Sequence, residues 1–148
     1  MSNIIYKTNE GRADEILEHL ETCDKDFRPP LSQRIDLSEY CVKLAQNATN
    51  FEAWDGHRIL VGLVSVYMNN FSIKTAFITS VSVCHVYTGK GIAKRLMAEC
   101  IKEAKQKGFV QLQLEVNVLN APAIKLYNSF GFYITEIDKE VIKMNLKI

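Results

Sequence analysis

The chain has 148 residues, about one domain's worth; its 47% apolar and 24% charged residues exclude a disordered chain, a collagen-like fibre and a disulfide-dense miniprotein. The net charge of +1, from 18 basic and 17 acidic side chains, gives nucleic acid no general hold, and no nucleic-acid partner is expected. The charge is uneven, however: residues 1–55 carry 11 acidic and 6 basic side chains, whereas residues 86–107 carry 6 basic and 2 acidic.

In chain order, Ile4 to Lys7 reads as a strand. Arg12 to Thr22 places Ile16, Leu17 and Leu20 at helical spacing, and Pro29-Pro30 breaks the chain after it. Asp36 to Ala48 is a second amphipathic helix with Leu37, Tyr40, Cys41, Leu44 and Ala45 as its stripe, capped by Asp36 or Ser38. Asn50 to Trp54 is a strand leading into Asp55-Gly56, a two-residue hairpin signal. Ile59 to Tyr67 and Thr75 to Val83 are β-rich, with Asn69-Asn70 in the turn. Gly91 to Lys107 is a long helix ended by Gly108, and Val110 to Val116 is a strand. Ala121 to Phe130 is a shorter helix stopped by Gly131. Phe132 to Ile137 and Val141 to Leu146 are the last strands.

Strand, helix and strand from Thr75 to Val116 make a βαβ crossover and hence a parallel pair; the hairpins around it are antiparallel. The expected fold is α/β, a mixed central sheet of about seven strands with helices on both faces, in a single domain over residues 1–148. No apolar run approaches the roughly 20 residues that span a bilayer, and no signal-peptide pattern opens the chain. Cys23, Cys41, Cys84 and Cys100 lack zinc-site spacing. A cytoplasmic protein with no membrane partner and no metal is the expectation.

Thr88-Gly89-Lys90-Gly91-Ile92-Ala93 lies between a strand and the start of the longest helix. Glycines permit positive φ and close backbone approach, and a helix N-terminus offers free N–H groups with partial positive charge. Together they make an anion site suited to phosphate, reinforced by Lys90, Lys94 and Arg95. The P-loop string is absent, and Lys94 occupies the third glycine position of a dinucleotide fingerprint. Further on, Asn120 and Pro122 open a helix that carries Tyr127 and ends before Gly131-Phe132.

These two segments resemble the signatures of the GNAT superfamily of acyl-CoA-dependent N-acyltransferases. Residues 88–93 are similar to its [QR]-x-x-G-x-[GA] motif, with Thr88 in place of the usual Gln or Arg. Asn120 to Tyr127, followed by Gly131-Phe132, is similar to its second signature, N-x-x-A-I-x-L-Y then G-F. The resemblance implies an N-acetyltransferase that moves an acetyl group from acetyl-CoA, its acyl-donor substrate, to a primary amine by direct attack. It implies pyrophosphate over Thr88, Gly89, Lys90, Gly91, Ile92, Ala93 and Lys94, and pantetheine along Val81, Ser82 and Val83. It further implies Asn120 on the pantetheine, Tyr127 as the acid that protonates the leaving thiolate, and a backbone N–H near Val81 or Val83 for the oxyanion.

Val110 to Val116 alternates, with Leu112, Leu114 and Val116 on one face and Gln111, Gln113 and Glu115 on the other. A strand of a parallel pair usually reads as continuously apolar, so this polar face meets either solvent or an active site. Glu115 stands twelve residues before Tyr127, similar to the ribosomal-protein alanine acetyltransferases of the family, which implies Glu115 as general base. The resemblance implies as acceptor a small amine, an amino sugar or a protein N-terminal amine. The resemblance places the acceptor near the first two helices, so Phe27, Arg28, Arg34, Tyr40 and Tyr67 are the acceptor-side candidates, with His85 as a second titrating group and Cys84 incidental. A non-catalytic acetyl-CoA-binding module or sensor is the alternative, and a homodimer through the sheet edges is compatible with the fold.

Overall fold

Apolar stripes of period 3.6 in the helical segments and of period 2 in the strands demand one sheet covered on two faces. The computed structural model, which describes residues 3–27 and 29–148, has that arrangement. Arg28 lies outside the described residues. The strands are β1 (Ile5–Thr8), β2 (Thr49–Trp54), β3 (Leu60–Tyr67), β4 (Thr75–Val83), β5 (Gln111–Asn117), β6 (Tyr133–Asp138) and β7 (Val141–Lys147). The helices are α1 (Ala13–Cys23), α2 (Leu37–Asn47), α3 (Ile92–Gln106) and α4 (Ala121–Ser129). Short 3₁₀ turns cover Asp24–Asp26, Leu31–Gln33 and His85–Tyr87. Among the described residues, no helix is long and apolar enough to cross a membrane.

The sheet order is β1-β2-β3-β4-β5-β7-β6. Among the described residues, β4 and β5 alone run parallel, joined through α3 as the crossover reading requires, and the other pairings are antiparallel. One face is built on Ile92, Leu96, Met97 and Cys100 of α3 and Tyr127 of α4, against Val64, Val66, Ile78, Leu112 and Leu114. The other is built on Ile16 and Leu20 of α1 and Cys41 and Leu44 of α2, against Trp54 and Leu63. Each fully buried aliphatic side chain contributes about 1.5–3 kcal/mol.

Three details position the site. First, the β4–β5 pairing stops at Ile78 opposite Leu114, although β4 runs on to Val83 and β5 to Asn117. The two strands therefore part company halfway along. Second, the register against β3 slips at Thr79, because Val66 faces Ile78 while Ser65 faces Ser80. That bulge keeps Val81 and Val83 on the α3 face beyond it, and turns Ser82 toward His19 of α1. Third, Gly62 of β3 lies under α3 so closely that a Cβ there would stand 2.7 Å from Ile92 Cγ2. Glycine at that point lets the first turn of α3 press directly on the sheet.

One turn departs from its reading. The link from β2 to β3 is five residues, 55–59, rather than a two-residue hairpin. Asp55 Oδ1 accepts from the His57 and Ile59 amides, so the aspartate side chain closes a wider loop. Asp36, as expected, caps α2 by accepting from Glu39 N.

Candidate active site

Beside the end of β4 that has parted from β5 lies a cavity of about 390 Å³, within the range of small-molecule sites. Val81, Ser82 and Val83 of β4 form one wall. Thr88, Gly89, Gly91, Ile92, Ala93 and Lys94 form the end at α3, and Asn120, Pro122, Ala123, Leu126 and Tyr127 of α4 the opposite wall. Nearly all the residues expected to hold a donor thus come together, although they are drawn from three separate stretches of chain.

The α3 end has the geometry of an anion cradle. Gly89 and Gly91 have φ of +77° and +79°, and a Cβ on either would meet nothing within 4 Å. The glycines are therefore required by backbone conformation and leave the space above the turn open. Gly91 is the N-cap of α3 and no acidic residue sits in the first turn, so no side chain of that turn neutralises the free amides. Lys94 lines the cavity. Arg95 does not reinforce it: its guanidinium stacks 4.2 Å over the Tyr6 ring and its Nε bonds Glu99 at 3.3 Å. Lys90 is exposed outside the cavity lining. Thr88 closes its own turn, with Oγ1 donating to the His85 carbonyl at 2.7 Å.

Asn120 caps α4 by accepting from Ala123 N while lining the cavity. Tyr127, about two turns further on, is buried and its ring packs against Phe132 at 5.8 Å between centroids. Burial pushes its phenol well above the ordinary tyrosine range, which keeps the proton on the oxygen.

Glu115 is placed differently. It is exposed, stands opposite Lys143 in the β5–β7 register and is not among the cavity residues. Lys143 in turn bonds Glu136 at 3.1 Å. Glu115 is the first β5 residue past the last β4–β5 pair, on the sheet face away from Leu114, Tyr127 and α3. It thus stands at the mouth of the split but on the opposite side from Tyr127.

Sequence reasoning missed Cys23, Asp26 and Tyr87, which line the cavity together with Phe27. Asp26 supplies the one carboxylate of that lining. The available signal was His19, which falls on the buried stripe of α1 with Ile16, Leu20 and Cys23. Of the other acceptor-side candidates, Tyr40 donates its hydroxyl to the Thr79 carbonyl at the β4 bulge, and burial pushes its phenol up to about 12. Arg34 is exposed, Tyr67 half-buried, and His85 exposed on a second cleft beside Cys84.

A family model described as "Acetyltransferase (GNAT) family" matches residues 13–132. The chain belongs to that family. Among its relatives is a protein named uncharacterized N-acetyltransferase YsnE, from Bacillus subtilis (strain 168), 32% identical over 90 residues. That match takes in 60% of this chain and 58% of the relative, so the chain is matched over little more than half of the relative's length. The fold is similar to PaiA N-acetyltransferase from Thermoplasma acidophilum in complex with coenzyme A, at TM-score 0.75 and 16% identity over 99% of both chains. It is also similar to the ribosomal-protein-S18-alanine N-acetyltransferase from Escherichia coli, at TM-score 0.72 and 20% identity over 100% of this chain and 94% of that one.

Proposed function

We propose that the chain is an N-acetyltransferase, a single catalytic unit that takes acetyl-CoA as donor and a primary amine as acceptor. The observation that carries this reading is the convergence of the glycine turn, the parted β4 edge and Tyr127 on one cavity. The coenzyme A complex of the PaiA relative supports the donor class. The thioester of the bound donor supplies the activated carbonyl. The amides of Gly89 to Lys94 and the Lys94 ammonium hold its phosphates. The β4 backbone beyond Ile78, freed from β5, bonds the pantetheine arm and offers an N–H near Val81 or Val83 to the oxyanion. Tyr127 delivers its proton to the departing sulfur.

The acceptor enters from the α1–α2 face, where Glu115 waits at the split and takes the ammonium proton. A lysine-like amine, with a pKa near 10.4, is almost wholly protonated at neutral pH and cannot attack until it loses that proton. Tyr40 and the buried, unpartnered hydroxyls of Tyr67 and Ser80 make this side polar, in keeping with a small amine, an amino sugar or a peptide N-terminus. Asp26, because it lines the cavity, is the second candidate for proton acceptor.

The test is a panel of amines with acetyl-CoA, read by free thiol release and by product mass. Glu115→Gln and Asp26→Asn are compared on the best acceptor. The reading requires Glu115→Gln to lower kcat at least tenfold with Asp26→Asn near wild type. The reverse pattern moves the base to Asp26. Tight coenzyme A binding with no transfer to any amine would leave a sensor in place of an enzyme.

A further inference from the structure

Where the end of α1 meets the end of β4, His19, Cys23 and Cys84 form a buried cluster that acyl transfer leaves unused. Their nitrogen and sulfur atoms all lie within 4.8 Å of one another. Cys84 Sγ is 3.7 Å from His19 Nδ1, and Cys23 Sγ is 3.8 Å from Nε2. Such a set suggests a metal site, but the imidazole is already committed. Nδ1 lies 2.8 Å from the Leu60 carbonyl, an acceptor only, so Nδ1 carries the proton and donates it. Nε2 then accepts from Ser82 Oγ at 2.8 Å. No ring nitrogen keeps a free lone pair, and Cys84 lies on the protonated side. The thiols are the reactive part of the cluster.

Their placement is unusual. Cys23 lines the large cavity. Cys84 lines the second cleft, with Thr22, Lys25, Asp26, His85 and Val86. The two thiols thus sit side by side where the two spaces approach each other, one residue in the lining of each. We propose that Cys23 and Cys84 are a thiol–disulfide exchange site that reacts with low-molecular-weight disulfides. In the first step the Cys84 thiolate attacks one sulfur of the small disulfide. A Cys84 mixed disulfide forms, and the other half leaves as a thiolate that takes up a proton. In the second step Cys23 loses its proton to solvent and attacks the Cys84 sulfur. The Cys23–Cys84 bond forms and the second small thiol is released. The small disulfide is reduced to two thiols as the two cysteines are oxidised.

The local field sets the order of these steps. The Cys23 thiol beside it, and then His19, hold Cys84 well below the usual thiol range. The neighbouring Cys84, with burial, pushes Cys23 up. Cys84 is thus the first nucleophile. Once it is in a mixed disulfide its negative charge is gone, and with it a main cause that held the proton on Cys23. Cys41 and Cys100 are buried elsewhere, Cys41 against the α1–α2 layer and Cys100 under α3.

The experiment incubates the full chain with glutathione disulfide, alkylates remaining thiols after denaturation, and maps the products by peptide mass. Wild type is expected to lose two alkylatable thiols and to yield a Cys23–Cys84 linked peptide. Cys23→Ser is expected to trap glutathione on Cys84, Cys84→Ser to give neither product, and the Cys41→Ser/Cys100→Ser double variant to behave as wild type. Four alkylatable thiols in treated wild type would overturn the proposal. A linked peptide containing Cys41 or Cys100, or stoichiometric zinc that blocks the link, would do the same. The wild-type map needs no variant to fold, and the chemistry needs no acyl donor, so its failure is separate from any failure of acetyl transfer.

Discussion

Tyr127 and Glu115 stand twelve residues apart, yet they carry unequal structural support. Tyr127 is held by the cap of α4 and the Phe132 ring, in the cavity wall. Tyr127→Phe should lower kcat about 10²-fold with little change in KM or melting temperature, since only the hydroxyl is lost. The pH profile gives a second check. An acid that must be protonated, and whose pKa burial has raised, stays active as pH climbs and fails only above its raised pKa. Transfer by wild type should therefore show no alkaline decline from this group below about pH 10; a kcat profile that falls earlier, and is flattened in Tyr127→Phe, would count against it. For Glu115 the alternation of β5 was legible, and the polar face was seen. What the strand could not disclose was which face the cavity occupies, because that depends on where β4 and β5 part. His19 and Cys23 were illegible for a related reason. Their partners Leu60, Ser82 and Cys84 lie 41 or more residues from His19 in the chain.

At the scale of elements, the strongly periodic ones were placed within a residue or two. Thr75–Val83 agrees end to end, and α3 falls one residue inside its expected limits at each end. The failures are in connections governed by side chains, such as the Asp55 loop, or by 3₁₀ turns with no period of their own. The contact between Gly62 and Ile92 gives an element-level prediction. Gly62→Ala forces Ile92 and the first turn of α3 to shift. The KM for acetyl-CoA should rise several-fold, with a smaller effect on kcat, and Ile92→Ala in the same chain should recover part of the loss. Gly91→Ala acts differently, because its Cβ meets open space and only the left-handed backbone costs, at about 1–2 kcal/mol; donor KM should rise there without partial rescue by Ile92→Ala. Glu52 is a second fixture. Its buried carboxylate accepts from the Glu10 and Gly11 amides and from Trp54 Nε1, tying the β1–α1 loop to β2. Glu52→Ala strands these donors and should lower unfolding free energy by about 2–3 kcal/mol in a denaturant titration, with donor KM unchanged.

For the whole molecule, the two core clusters meet across one sheet, so a ligand bound at the split touches both layers' supports. A ligand that binds only the folded state adds about 2.7 kcal/mol at a hundredfold excess over Kd. Coenzyme A should therefore raise the melting temperature in proportion to the logarithm of its concentration. Lys94→Ala should weaken that response, whereas Arg95→Ala should leave it intact, since Arg95 serves Tyr6 and Glu99.

The parted strands carry one more consequence. From Thr79 to Val83, β4 has, among the described residues, a strand neighbour on its β3 side and none on its β5 side. The protein is folded with one seam of its sheet unsewn, and under the proposed function an extended donor would lie in that seam as a missing half-strand. Amides there should exchange with heavy water at rates typical of an edge in the free protein, and slow sharply on binding. The outer edges at β1 and β6 should not change. On that proposal, the split is where the substrate completes the fold.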